Sequence, residues 1–217
     1  MTPAEPQIER GAIEPALAEE FPSLTLLYCV IAARAGRSPR AVRDQLKHLS
    51  DRLYGERAIK MRREPVAHAY RVFFRHIGLD PDESRTPAEA LVVERLRAGR
   101  FASGGLVEDA VTIATIETGA ALRAIDAGAI DGKLGLRGSR PGERLGGGAG
   151  MPLPAGTIVV ADRRRPLCPL FGELASISDV SRASRRVALC AVGVDGVPSL
   201  VVEEGLWKCA TIIAAES

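Results

Sequence analysis

Residues 86–119 read TPAEALVVERLRAGRFASGGLVEDAVTIATIETG, two apolar runs each closed by a glycine. Thr86, Pro87 and Glu89 have the spacing of a capping box with proline at the first helical position, and Ala90, Leu91, Val93 and Leu96 follow before Gly99 ends the run. The second run, Leu106–Thr118, predicts a further helix stopped by Gly119, although its Val, Thr and Ile content also suits a strand. With two helices in succession at the middle of the chain, strands have to come from either side.

Toward the N-terminus, residues 23–33 form a β-branched and apolar run suited to a buried strand. Ser38 and Pro39 give the cap and first-turn signal of a helix that carries Val42, Leu46, Leu49 and Leu53 up to Gly55. Pro65 opens another, with Val66, Tyr70, Phe73, Phe74 and Ile77 on one side and Gly78 as its left-handed cap. Toward the C-terminus, glycines recur between 128 and 150 around a short strand at 134–137, and the stretch after that strand reads as a mobile surface loop. Residues 156–162 and 186–194 read as strands, and 199–215 as a terminal helix with Leu206 and Trp207 turned inward. The class is mixed α/β (α+β), a central sheet flanked by helices. Residues 1–20 mix Pro, Glu and Ala without a firm period and are expected to be flexible, which leaves 21–217 as a single domain.

At 217 residues, 46% hydrophobic and 26% charged, the chain can bury a full core without disulfides or a structural metal. Lys plus Arg is 29 against 27 for Asp plus Glu, so any basic face for nucleic acid has to be local. Cys29, Cys168, Cys190 and Cys209 show no CxxC spacing, and no basic, then apolar, then small-residue pattern opens the chain; reduced thiols in a cytoplasmic setting are expected. Cys29 and Cys190 fall inside apolar strand runs and read as core, whereas Cys168, read as lying in a loop after Pro166, is the thiol worth testing. The longest apolar stretch is broken by Arg34 and falls far short of the roughly 18 to 20 residues that span a bilayer.

His48, His68 and His76 lie on predicted helices without the HExxH spacing that would place two imidazoles on one metal, so they read as solvated, and no metal or cofactor is expected. Gly132-Lys133-Leu134-Gly135 lacks the order of a phosphate loop, and no GxSxG elbow is present. Asp109, Asp126 and Asp162 end or interrupt apolar segments, where a carboxylate caps a helix or binds an amino group. Three arginine clusters stand out: Arg163, Arg164 and Arg165; Arg182, Arg185 and Arg186; and Arg95, Arg97 and Arg100. Each reads as a solvated face unless the fold brings them to one side, where they would grip an RNA backbone.

The order of shorter motifs says more than any one of them. Tyr70-Arg71 with Phe74, Gly78-Leu79-Asp80-Pro81, Arg85-Thr86-Pro87 with Glu89, Leu106-Val107 with Asp109, Glu117-Thr118-Gly119, Ile125-Asp126, the run 156–162, and Asp179-Val180-Ser181 with Ser184 follow one another in this order. In that order the chain from about Val66 to Val192 resembles the editing module of the phenylalanyl-tRNA synthetase beta subunit, the B-three/B-four domain, and especially its free-standing relatives. The resemblance implies a mixed α/β domain with a pocket beside its sheet, and trans deacylation of a mischarged aminoacyl-tRNA held by its 3′ end. Such an ester is already activated, so a site that places water and holds the amino group needs no side-chain nucleophile.

Carried over by the resemblance, Thr112 and Glu173 are the expected catalytic residues, Glu173 because Gly172-Glu173 falls near the module's Gly-Gly-Glu segment. Asp109, Arg123 and Asp126 are the expected substrate-binding residues, and Arg163, Arg164, Arg165, Arg182 and Arg185 the nucleic-acid contacts. Two positions depart from the module: Val111-Thr112 stands where it usually carries Thr-Asn, and Arg123 where it has a histidine. A fixed guanidinium favours a carboxylate or phosphate over a tyrosine. The rival expectation is a non-catalytic module that binds a free amino acid, a related metabolite or tRNA on the same fold.

Overall fold

A strand covered on both faces reads as an unbroken apolar run, because neither set of alternating side chains meets water. In the computed structural model, which describes residues 6–215, two such strands form the centre: β3 (Thr25–Ala32) and β8 (Arg186–Gly193), paired antiparallel from Thr25 opposite Gly193 to Ala32 opposite Arg186. The short β1 (Glu9–Arg10) lies outside β3, and β4 (Ala121–Asp126) lies outside β8, giving the order β1-β3-β8-β4. A second sheet, β2-β5-β6-β7, is built from β2 (Ala12–Ile13), β5 (Gly135–Gly138), β6 (Ile158–Ala161) and β7 (Pro166–Pro169).

The two faces of the first sheet meet different layers. Leu27 and Cys29 of β3, Leu122 of β4, and Val187, Leu189 and Ala191 of β8 pack against helices α2 (Arg40–Arg52), α3 (Gly55–Met61), α5 (Pro87–Ala98), α6 (Leu106–Thr118) and α7 (Ser199–Ala214). The alternate residues, Leu26 and Tyr28, Ala121 and Ile125, Ala188 and Cys190, face the second sheet together with α1 (Pro15–Glu20) and α4 (Pro65–His76). The class is mixed α+β, as expected, with five helices on one face of the first sheet and the second sheet, α1 and α4 on the other.

Several local expectations are corrected. Of the segment expected to be flexible, residues 1–5 lie outside the described residues, while β1, β2 and α1 place residues 9–20 in both sheets and the core, with Leu17 buried. Pro39, not Ser38, sits at the N-cap of α2 without a side-chain cap, and the Ser38 hydroxyl donates to Asp109 instead. Trp207 is 40% exposed: Val202, Leu206, Cys209 and Ile213 form the inward stripe of α7 and Trp207 falls beside it. The stretch read as a mobile loop covers the outer face of the second sheet, where Leu145 and Leu153 pack on Val159 and Ala161. Arg137 clamps that cover by donating two hydrogen bonds to Glu143, at 2.6 and 2.7 Å, and holds the Glu143 carboxyl below its usual range. Among the described residues no helix is long and apolar enough to cross a membrane.

Candidate functional site

Arg123 is the one charged residue of the apolar run that becomes β4, before the terminal Asp126. Strand alternation puts it on the same face as Ala121 and Ile125, opposite Cys190 of β8 and over Val160 and Cys168 of the second sheet. The guanidinium is half-buried there, and no described residue gives it a hydrogen bond or ion pair. A buried arginine normally has a carboxylate, since an uncompensated charge taken out of water is costly. Arg123 instead opens onto a groove of about 540 Å³, walled by Phe171, Gly172, Glu173, Leu174 and Asp179. The Glu173 and Asp179 side chains are exposed and unpaired on its rim. Below Arg123 the groove ends in an apolar slot of only about 20 Å³ under Leu170 and Phe171.

The rim is set by a tight turn after β7. Gly172 N donates to Pro169 O at 2.8 Å, which puts Phe171 at the third turn position with φ +63°. That conformation suits glycine, yet here it aims a phenyl ring inward, stacked on Phe74 at 4.9 Å and edge-on to Tyr70 at 6.0 Å. A Cβ on Gly172 would lie 2.8 Å from Pro169, so the next position admits glycine alone. The Glu173 carboxylate is thus carried on a turn anchored in the aromatic core.

The other expected site residues fall elsewhere. Asp109 is buried at the start of α6, where it accepts from Ser38 Oγ at 2.5 Å, Ser103 Oγ at 2.6 Å and Gly104 N at 3.0 Å; it holds two loops together and has no free face for an amino group. Thr112 lies on α6, in the helical layer, so the first sheet stands between it and Arg123. Asp126 accepts from Gly128 N and from Ser184 Oγ at 2.8 Å, supporting the loop before β8 and not facing the groove. Cys168 is a β7 residue and not a loop thiol; burial pushes it up to about 11 against the pull of the nearby Arg123 charge. His48, His68 and His76 are all exposed on their helices.

Two of the arginine clusters are joined by one short segment, residues 126–131. Asp131 pairs with Arg163 at 3.0 Å and with Arg164 at 3.8 Å, and Ala129 O accepts from Arg165 at 3.1 Å. At the other end Asp126 holds Ser184, and Arg185 donates to the carbonyls of Arg182 and Ala183 in the same loop. Arg163, Arg164, Arg182 and Arg185 are exposed, whereas Arg165 is half-buried with a buried, unpartnered Nε. Phe171 and Asp179 complete the groove: a non-glycine turn residue with positive φ leaves no mark in the sequence, and Asp179 belongs to the motif order without having been expected at the site. No protein-family model matches the chain, and no curated protein matches it either.

Proposed function

We propose that this chain is a free-standing module of the aminoacyl-tRNA editing type, which holds the 3′ end of a mischarged tRNA and hydrolyses its aminoacyl ester. The observation that carries the reading is that the unpartnered Arg123 shares one open groove with Glu173 and Asp179, a cation and two anions matched in charge to an aminoacyl group. In this reading Asp179 holds the ammonium group and Arg123 lies where negative charge develops on the ester carbonyl oxygen. Glu173 accepts a proton from the attacking water, the C–O bond to the ribose breaks, and the ribose oxygen takes the proton. Thr112 has no part in it. The exposed Arg163, Arg164, Arg182 and Arg185, on loops tied to one segment, supply the positive surface along which the RNA backbone runs.

The second reading, a module that binds an amino acid or related metabolite without chemistry, is favoured by one feature: the groove holds no hydroxyl, thiol or imidazole. Incubation with a panel of correctly and incorrectly charged tRNAs separates the two. Selective loss of one ester, reduced about 100-fold by Arg123→Ala and at least tenfold by Glu173→Gln, is the expected result. Hydrolysis unchanged in both variants removes this groove from the reaction. Free amino acid binding that depends on Arg123, with every ester intact, establishes the second reading.

A further inference from the structure

A second cavity, of about 520 Å³, lies beyond the 179–182 strap that borders the groove: Asp179 walls the groove, while Val180, Ser181 and Arg182 wall this cavity. Three arginines from separate places in the chain meet there. Arg37 comes from the loop after β3, Arg43 from the first turn of α2, and Arg182 from the loop before β8. Arg43 is half-buried, and none of the three guanidiniums has an ion-pair or hydrogen-bond partner among the described residues. Against them stand Glu108 on the wall and Asp109 beneath it, whose oxygens are taken by Ser38, Ser103 and Gly104. The walls are fixed to one another: Leu106 N donates to Gly36 O at 2.9 Å, and the Asp109 bonds bind the 36–38 and 103–105 loops to the start of α6. Val107 and Glu108, in the first turn of α6, line the same space, and the helix start has no capping side chain.

Three guanidiniums without partners line one preformed hollow that offers them a single carboxylate, Glu108, and such a surplus of positive charge favours a multivalent anion. We infer that this cavity is a phosphate-binding site, with Arg37, Arg43 and Arg182 as its ligands. Apart from its carrier, the site stands independently of the editing proposal. If that reading holds, the phosphate belongs to the RNA just upstream of the aminoacylated ribose, since the strap that separates the two cavities is the wall of both.

The test uses the full chain with two probes, a short single-stranded RNA ending in CCA and adenosine monophosphate. Arg37→Ala, Arg43→Gln and Arg182→Ala are each expected to weaken RNA binding about fivefold to tenfold at low salt, and to flatten the log–log salt dependence by about 0.7 per arginine. Arg75→Ala, which removes an exposed charge on α4, leaves both unchanged. Arg37 and Arg182 are exposed, so their variants keep the test intact should Arg43→Gln fail to fold. Nucleotide binding that falls with the same variants while RNA binding does not assigns the phosphate to a free nucleotide; the reverse assigns it to RNA. RNA and nucleotide binding both indifferent to all three arginines, or absent in the unaltered protein, overturns the site. The same variants assayed for deacylation keep the two proposals apart. Arginine-dependent RNA binding without hydrolysis leaves this site standing and retires editing; hydrolysis lost only in Arg123→Ala does the opposite.

Discussion

Phe171 is the one non-glycine among the described residues with its backbone in the left-handed region, and it stands at the wall of the candidate groove. An L-residue there costs roughly 1 to 2 kcal/mol, which its ring repays through Phe74, Tyr70 and Phe73. The two terms separate by substitution. Phe171→Ala removes the ring and keeps the strain, and is expected to cost about 2 kcal/mol for a half-buried aromatic. Phe171→Gly removes both, and is expected to be about 1 kcal/mol more stable than the alanine variant, the reverse of the usual order. Urea unfolding of the pair decides it: an alanine variant as stable as the glycine one means that the backbone there is unstrained.

Among the elements, α4 and α5 are joined by charge where their neighbours are joined by apolar packing. Arg71 on α4 donates to both oxygens of Glu89 on α5, at 3.0 and 3.1 Å, and to Asp82 in the connecting loop, while Arg62 pairs with the same two carboxylates. Arg71 and Glu89 are both buried. The capping-box spacing of Thr86 and Glu89 therefore marks a helix start correctly but for another reason: Thr86 occupies the N-cap without making a side-chain bond, and Glu89 reaches for Arg71. Removing one partner strands the other, so Glu89→Ala is expected to cost about 3 kcal/mol, and the double change Arg71→Met with Glu89→Leu much less. Chemical denaturation of the single and double variants checks this; equal losses would show that the pair is held by packing and not by charge. Tyr70, Arg71, Phe74 and Glu89, prominent in the family resemblance, hold the fold together: the Tyr70 hydroxyl donates to Val192 O and accepts from Ala121 N, bridging β8 and β4.

For the molecule as a whole, burial of acids in their neutral form sets an alkaline limit. Desolvation pushes Tyr70 up to about 12 from 10.0, and Cys29 and Cys168 each up to about 11 from 9.0; Cys190 and Cys209 move in the same direction. A folded pKa above the unfolded one favours the native state below the unfolded value and ceases to do so as pH rises through the folded one. The thiols therefore begin to withdraw stability near pH 9 and Tyr70 near pH 10, the tyrosine alone by about 2 kcal/mol at pH 12. Unfolding midpoints measured from pH 8 to 11 are expected to fall steadily above about 9. A flat profile would mean that these groups ionise in the native state, and that the layers on both faces of the first sheet admit water.

The long elements were legible because their signals are local. The runs that became β3 and β8, the caps at Pro65, Pro87, Gly99 and Gly119, and the inward positions of α4 are set by periodicity within a few residues. The two-residue strands β1 and β2, the proline-flanked β7 and the Arg123-interrupted β4 carry no such signal, and exist because a distant partner pairs with them. The site divides in the same way. Arg123 and Glu173 could be named from sequence, but that they share a groove while Asp109 and Thr112 belong to another layer was decided by which face of β4 each neighbour meets. By itself the sequence determined where the long helices and the two central strands run, since propensity and capping act over one or two turns. Only the tertiary structure decided which charges are spent on one another and which stay free, because that depends on pairings between residues far apart in the chain.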